Sequence, residues 1–291
     1  MKSDSVVSIK ALSCTYPGGV EALEDIDLEI YRNQFVGIIG QNGAGKSTLL
    51  QHMIGLLKPK QGEVTVLDTD TRSAAVSQLA TKVGFVLQNP DLQLFAPTVR
   101  EEVSFGPSNL GIEGRELEER VTSSLETVGL ASQLESFPLT LSKGDRAKVV
   151  IASVLAMNPE IIILDEPTCG QDHKGNTQIM NIATSLCDAG KTIIVVTHNM
   201  DLIARYAERI IVLKKGRIHM DGSVREIFSR PKELLETHIK PPYITRLGQR
   251  LDDCLGGEET YLNVEELGES VVRRACETRT LPAGHIIPKR E

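Results

Sequence analysis

Residues 40–48 read GQNGAGKST, and their types and spacing suit one task, the binding of phosphate. The pattern G-x-x-x-x-G-K-[ST] runs from Gly40 to Ser47. Small residues let the backbone N–H groups of Asn42, Gly43, Ala44, Gly45, Lys46, Ser47 and Thr48 converge on phosphate oxygens, and the dipole of a following helix adds partial positive charge. Lys46 is placed to reach the β- and γ-phosphates, and the Ser47 hydroxyl can ligate Mg2+. Further on, IIILDEPT ends an apolar run at Asp165 and Glu166. Neighbours on an extended chain point to opposite sides, so the two carboxylates need not share a job. Asp165 suits the Mg2+ shell. Glu166, just past the strand, suits orienting or deprotonating an attacking water, an effect of about 10²–10⁴-fold. His198, closing KTIIVVTH, falls on the same sheet edge and could hydrogen-bond the γ-phosphate or that water.

A second anion site is suggested by LTLSKGDRAKVVIAS, residues 139–153. Ser142 can cap a helix, and Asp145 three residues later resembles a capping box. The free N–H groups of the same helix start would also attract an anion, and spacing alone does not say which.

These groups need a scaffold that brings strand ends together. Residues 5–40 alternate β-rich pieces with turns (VVSIKALSCTY, PGG, IDLEIY, QFVGIIG), and a helix is expected from Lys46 to about Leu57. GEVTVLD and VGFVLQ read as further strands. From about 89 to 159 strand signals vanish and charged helical segments appear at 113–129 and 142–157, which predicts an inserted helical subdomain. EIIILDEP and KTIIVVTH read as buried parallel strands separated by a helix near 173–189, and RIIVLKKGRIHMDG as a hairpin turning at Lys215–Gly216. The prediction is an α/β fold with a parallel central sheet, a β-rich N-terminal part, and a small helical extension over 231–291, with 281–291 poorly ordered.

The totals set the class. A chain of 291 residues with 41% apolar and 24% charged residues has ample material for a core. A net charge of −7 argues against a broad basic face for nucleic acid. The five cysteines form no C-x-x-C pair, which fits a reducing compartment rather than a disulfide or zinc framework. MKSDSVVSIK lacks the apolar stretch of a signal peptide, and no run is long enough to span a bilayer, so a membrane role is expected to come through a partner.

Taken in order, GQNGAGKST, LSKGD ahead of a helix, IIILDEPT and His198 resemble the motifs of the ATP-binding-cassette (ABC) ATPases, over residues 5–230. The resemblance implies a P-loop NTPase core, ATP and Mg2+ as cofactors, and a dimer. Each ATP would lie between one subunit's phosphate loop and its partner's LSKGD loop, with the Ser142 hydroxyl and the N–H groups near Gly144 as donors. It also implies that Tyr16 stacks on adenine, that Gln88 senses Mg2+ and water and links to a transport partner, and that Asp172 in CGQD belongs to the loop between the two active sites. The residues by themselves leave a packed tyrosine, a solvent-facing glutamine and a helix-capping aspartate as the plainer readings.

The usual loop in that family is L-S-G-G-Q, so Lys143 and Asp145 are departures. Asp145 would set a negative charge near a polyanion, Lys143 restores neutrality, and a positive φ at 143 would strain a lysine. Two readings stay open: Lys143 touches the γ-phosphate as an arginine finger does, or the loop is degenerate in a heterodimer. More narrowly, QNPDLQLFAPTVREEVSFGPSNLG (88–111) is similar to the ATPases of energy-coupling factor transporters and their cobalt/nickel relatives. That implies an ATP-hydrolysing subunit of a vitamin or metal-ion importer, peripheral on the cytoplasmic face of the membrane. Its partners would be a second ATPase subunit (homo- or heterodimer), a membrane coupling protein and a substrate-capture protein, with 231–291 as a possible dimerisation segment. A soluble non-transport ABC ATPase, or a hydrolysis-poor half of a heterodimer, is the alternative.

Overall fold

The computed structural model describes residues 4–255 and 259–279, and the expectation for 281–291 lies outside them. The chain opens with strands β1 (Ser5–Thr15), β2 (Glu21–Tyr31) and β3 (Phe35–Gly40), then helix α1 (Lys46–Met53). Strands β4 (Gln61–Val66) and β5 (Thr69–Asp70), helix α2 (Val76–Ala80) and strand β6 (Val83–Val86) follow. Helices α3 (Val99–Asn109), α4 (Gly114–Thr127) and α5 (Lys143–Ala156) come next, with no described strand among them, and form the expected helical insertion. The chain returns through β7 (Ile161–Asp165), α6 (His173–Asp188), β8 (Thr192–Val196), α7 (Met200–Tyr206), β9 (Arg209–Lys214) and β10 (Arg217–Ser223). Helices α8 (Val224–Phe228), α9 (Pro231–Leu235), α10 (Tyr243–Leu255) and α11 (Val264–Arg279) complete it.

The strands make two sheets. An antiparallel sheet has the order β2-β1-β4-β5, and a six-stranded sheet has the order β10-β9-β3-β8-β7-β6. Strands β9, β3, β8, β7 and β6 run parallel, and β10 closes the edge antiparallel through the turn at Lys215 and Gly216, both at positive φ. This is the α/β architecture that the strand–helix alternation predicts.

The apolar runs that looked like buried strands are buried on both faces, with successive residues entering different cores. Ile161 and Ile163 pack with Ile38, Ile194 and Ile211 beneath the antiparallel sheet. Ile162 and Leu164 pack with Val195, against Val149 and Ile151 of α5 and Ile179 of α6. Ile39, Ile210 and Val212 form a third core with Ile203, Phe228 and Leu234. Burial of each such side chain stabilises the fold by about 1.5–3 kcal/mol, so the strand ends that carry the polar motif residues are held by a rigid base.

Three local differences from expectation have clear causes. Helix α1 stops at Met53 rather than near Leu57, because Gly55 turns left-handed (φ 72°) just beyond its end. GEVTVLD is not one strand, since Leu67 and Asp68 at φ 47° and 60° make the two-residue turn into β5. Helix α3 carries Pro107 inside it, which masks a helix opened by Thr98, whose hydroxyl accepts from the N–H of Glu101.

Candidate nucleotide site

The phosphate loop joins β3 to α1, and its shape depends on glycine. At Gly45, φ is 103°, and a Cβ would stand 2.6 Å from the Ala22 carbonyl and 2.8 Å from Leu23 Cδ2, so both conformation and space exclude a side chain. Gly45 is also the N-cap of α1 and offers no side-chain acceptor to the first-turn N–H groups. One donor of the expected cradle is diverted: the Ala44 N–H donates to the Gln41 carbonyl at 3.1 Å, and the Ala44 side chain is buried. Lys46 Nζ donates to the carbonyls of Gly40 (2.7 Å) and Gln41 (2.9 Å), so the ammonium already lies inside the loop. Burial lowers its pKa, while Glu166 and Asp165 pull it the other way.

Across the cleft, β7 ends at Asp165, and Glu166 takes a left-handed turn (φ 46°) with its N–H bonded to the Val196 carbonyl at 2.8 Å. That turn at a non-glycine residue is a strained conformation held by the sheet beneath it. It sends the carboxylate to His198, with Nδ1 3.0 Å from Glu166 Oε1. The Glu166 side chain is 14% exposed and that of His198 78%, so the carboxylate is sheltered while the imidazole faces the cleft. The Asp165 pKa is raised by burial first and by the neighbouring Glu166 second, with Lys46 opposing. Tyr16 follows β1 and sets its hydroxyl 3.2 Å from Thr48 Oγ1 at the start of α1.

One cleft of about 1310 Å³ is lined by Tyr16, Asn42, Gly43, Gly45, Lys46, Ser47, Thr48, Gln88, Asp165, Glu166 and His198. Ala44, the 142–145 loop and Asp172 do not line it. For a hard divalent cation the Ser47 hydroxyl, the Asp165 carboxylate and the Gln88 amide oxygen are suitable donors. Among the described residues no group of three or more His, Cys, Asp or Glu side chains is arranged to hold a metal ion. Bound by Ser47, Asp165 and Gln88, Mg2+ would offset charge on the phosphate oxygens.

The second anion candidate is a formed helix start. Ser142 caps α5, accepting from the Asp145 N–H at 3.1 Å, and its hydroxyl donates to Asp145 Oδ2 at 2.8 Å. Asp145 Oδ1 also receives Lys148 Nζ at 3.2 Å, so much of its negative charge is met within the chain. Lys143 is the first residue of α5 and is not at positive φ, which removes the strain considered for a lysine at this position. Its ammonium folds over the 169–172 loop, where a Cβ on Gly170 would come within 2.4 Å of Lys143 Nζ. Asp172 caps α6, accepting from the Gly175 N–H at 2.7 Å.

Two positioning roles had no motif to announce them. Gln93 braces the segment that carries Gln88, accepting from the Leu87 N–H (2.7 Å) and donating to the Phe85 carbonyl (3.0 Å). The buried Glu102 accepts from the N–H groups of Phe95 and Ala96 at 2.9 and 2.8 Å and so fixes the turn beside it. An acid placed amid a helix reads as solvated until its burial is known.

Comparison with known proteins gives a consistent picture. Residues 23–169 match the family model of the ABC transporter. The chain is 41% identical over 266 residues to an energy-coupling factor transporter ATP-binding protein of Methanothermobacter thermautotrophicus, covering 88% of this chain and 85% of that one. It is 40% identical over 264 residues to a longer protein of Caldanaerobacter subterraneus subsp. tengcongensis named as an ABC transporter ATP-binding protein, covering 91% of this chain. There it spans only 45% of the relative's length. Among solved structures it resembles cbiO1 of Clostridium perfringens, described as part of the ABC transporter complex cbiONQ, with a TM-score of 0.75, 32% identity, and coverage of 86% of this chain and 100% of that one.

Proposed function

Since the chain belongs to the ABC transporter family as an ATP-binding-cassette ATPase, we propose that it is the ATP-hydrolysing subunit of an energy-coupling factor type importer. It would work as one half of an ATPase dimer and power uptake of a vitamin or a transition-metal ion. The observation that carries this reading is the split of the site. Lys46, Asp165, Glu166 and His198 line one cleft, while the capped start of α5 lies off it with Ser142 and Lys143 exposed. A chain that holds both halves apart needs a second chain to bring a 142–145 loop to its triphosphate.

The chemistry then follows from side chains already in position. Lys46 exchanges its loop carbonyls for phosphate oxygens, and the first-turn N–H groups of α1 take the rest. Glu166 orients the water, or takes its proton at Oε, while His198 holds that carboxylate in place. The water oxygen bonds to the γ-phosphorus as the bond to the β–γ bridging oxygen breaks, and ADP leaves. Dimer closure on ATP and release after hydrolysis are the strokes passed to the membrane.

Transmission to the membrane requires an interface, and the helical insertion presents one. Leu92 (75% exposed) and Phe95 (65%), close to Gln88 in sequence, and Phe105 (52%) of α3 project into solvent, and the two phenyl rings meet edge-on at 4.7 Å. Exposed aromatic clusters of this kind mark protein contact surfaces. No described helix is long and apolar enough to cross a membrane. In the importer reading the chain would sit on the cytoplasmic face against an integral membrane coupling protein and its substrate-capture protein. Purification in mild detergent tests this: a small integral membrane protein should be recovered with the chain, and its absence would count against the transporter reading. The Phe95→Ser/Phe105→Ser pair should lower that recovery by about tenfold or more, since each buried aromatic anchor contributes about 2 kcal/mol. ATP binding should be retained.

Lys143 supplies a further test. If its ammonium swings from Gly170 to the partner's γ-phosphate, Lys143→Gly should lower the steady-state ATPase rate of the assembled complex by about 10-fold or more, the worth of a charged hydrogen bond. An unchanged rate would dismiss the contact. A clear gain would instead favour the degenerate-loop reading.

A further inference from the structure

The segment that leaves α9 does not run outward as an appendage. It turns back along the nucleotide cleft, where Lys240, Tyr243 and Arg246 share the lining with Lys46, Ser47 and His198. It is also held firmly. Glu236 pairs with Lys214 of β9 at 2.9 Å. Pro241 and Pro242 are buried and fix two consecutive φ angles. Thr245, fully buried, donates its hydroxyl to the Tyr261 carbonyl at 2.5 Å.

The charges on this wall lack partners. Arg100, Arg209, Arg217, Arg225 and Arg273 all pair with carboxylates. Lys240 and Arg246 have no such pair among the described residues, and Arg246 is half-buried. The Arg246 guanidinium stands 5.3 Å from the centre of the Tyr243 ring, which steadies it without neutralising it. A half-buried guanidinium facing a cleft gains when an anion enters that cleft, because the anion replaces the solvation lost by burial. The acidic groups that line the same cleft, Glu21, Asp165, Glu166 and Asp201, form no ion pair with Lys240 or Arg246. The cleft, about 1310 Å³, exceeds the ~300–1,000 Å³ of a typical small-ligand pocket, so it has room for a nucleotide between its walls.

We propose that residues 238–246 form a second, cationic wall of the nucleotide site, in which Lys240 and Arg246 contact the polyphosphate of the nucleotide held by the phosphate loop of the same chain. The proposal rests on the nucleotide reading of the cleft and adds to it a binding role for the C-terminal extension. Such a wall would let the extension register whether the cleft holds a triphosphate.

Equilibrium binding of ATP, ADP and AMP to the full chain tests it, for the wild type, Lys46→Ala, Lys240→Gln/Arg246→Gln and Arg246→Lys. The double variant should bind ATP about 10- to 100-fold more weakly, ADP less so, and AMP within about twofold of wild type, because the contacts are to the outer phosphates. The salt dependence of ATP binding should become shallower, and Arg246→Lys should retain most of the affinity. Equal losses for all three nucleotides would overturn the proposal, since that pattern means lost packing. Unchanged ATP affinity in the double variant, with binding lost in Lys46→Ala, would overturn this proposal alone. Undiminished binding by Lys46→Ala would overturn the nucleotide reading of the cleft and this wall with it.

Discussion

Replacing Glu166 by Gln is expected to slow ATP hydrolysis by the assembled ATPase by about 10²–10⁴-fold, while ATP still binds and gathers the chain into a stable dimer. The amide occupies the same volume and can still accept from His198, whose Nδ1 lies 3.0 Å from Glu166 Oε1. What it loses is the capacity to take a proton. The left-handed backbone at 166 (φ 46°) is set by the sheet and by the N–H bond to Val196, so the side chain should remain aimed into the cleft. Size-exclusion chromatography with and without ATP, beside a phosphate-release assay, separates the two effects. Turnover near the wild-type rate would remove Glu166 from the reaction, and a variant that stayed monomeric in ATP would remove the shared-site dimer.

The second large effect is expected at Lys46. Its ammonium already sits in the loop on two carbonyl hydrogen bonds, 2.7 and 2.9 Å, so little ordering is needed when phosphate arrives. Charged hydrogen bonds contribute about 1.5–3 kcal/mol each, and losing two of them in Lys46→Ala should weaken ATP binding by about 10²–10⁴-fold. Burial lowers the pKa of this ammonium, yet Asp165 and Glu166 oppose the shift. A bound triphosphate adds further negative charge and would strengthen that opposition. The loss should be largest for ATP and smallest for AMP. Equal affinity for ATP in wild type and variant, measured by calorimetry on the folded chain, would exclude the phosphate loop as the binding element.

Much of the site could be read from the chain because its chemistry is local. The loop from Gly40 to Thr48 is a single turn between a strand and a helix, so backbone spacing alone predicts its shape. Asp165, Glu166 and His198 terminate apolar runs, and the fold follows because such runs are stable only when stacked in one parallel sheet with both faces covered. That sheet then brings together two strand ends more than thirty residues apart, as the bond between Glu166 and His198 records.

Other features arise from contacts that no local pattern announces. Lys143 proved unstrained because it begins α5, and its ammonium lies over Gly170, which comes near it only through the fold. The pairing of Asp145 with Ser142 followed the capping spacing, whereas the ion pair with Lys148 one helical turn on settled how much of its charge is met within the chain. Glu102 became a buried brace instead of a solvated acid. Above all, the tail that composition marked as an appendage returned to the cleft nearly two hundred residues after Lys46. Its position follows from the core that Ile39, Ile210 and Val212 share with Phe228 and Leu234. The residues of the phosphate loop and the two strand ends were determined by the sequence itself. Which other side chains share their cleft was decided by packing between distant segments, because burial selects those neighbours by shape and apolar area, and neither leaves a periodic mark along the chain.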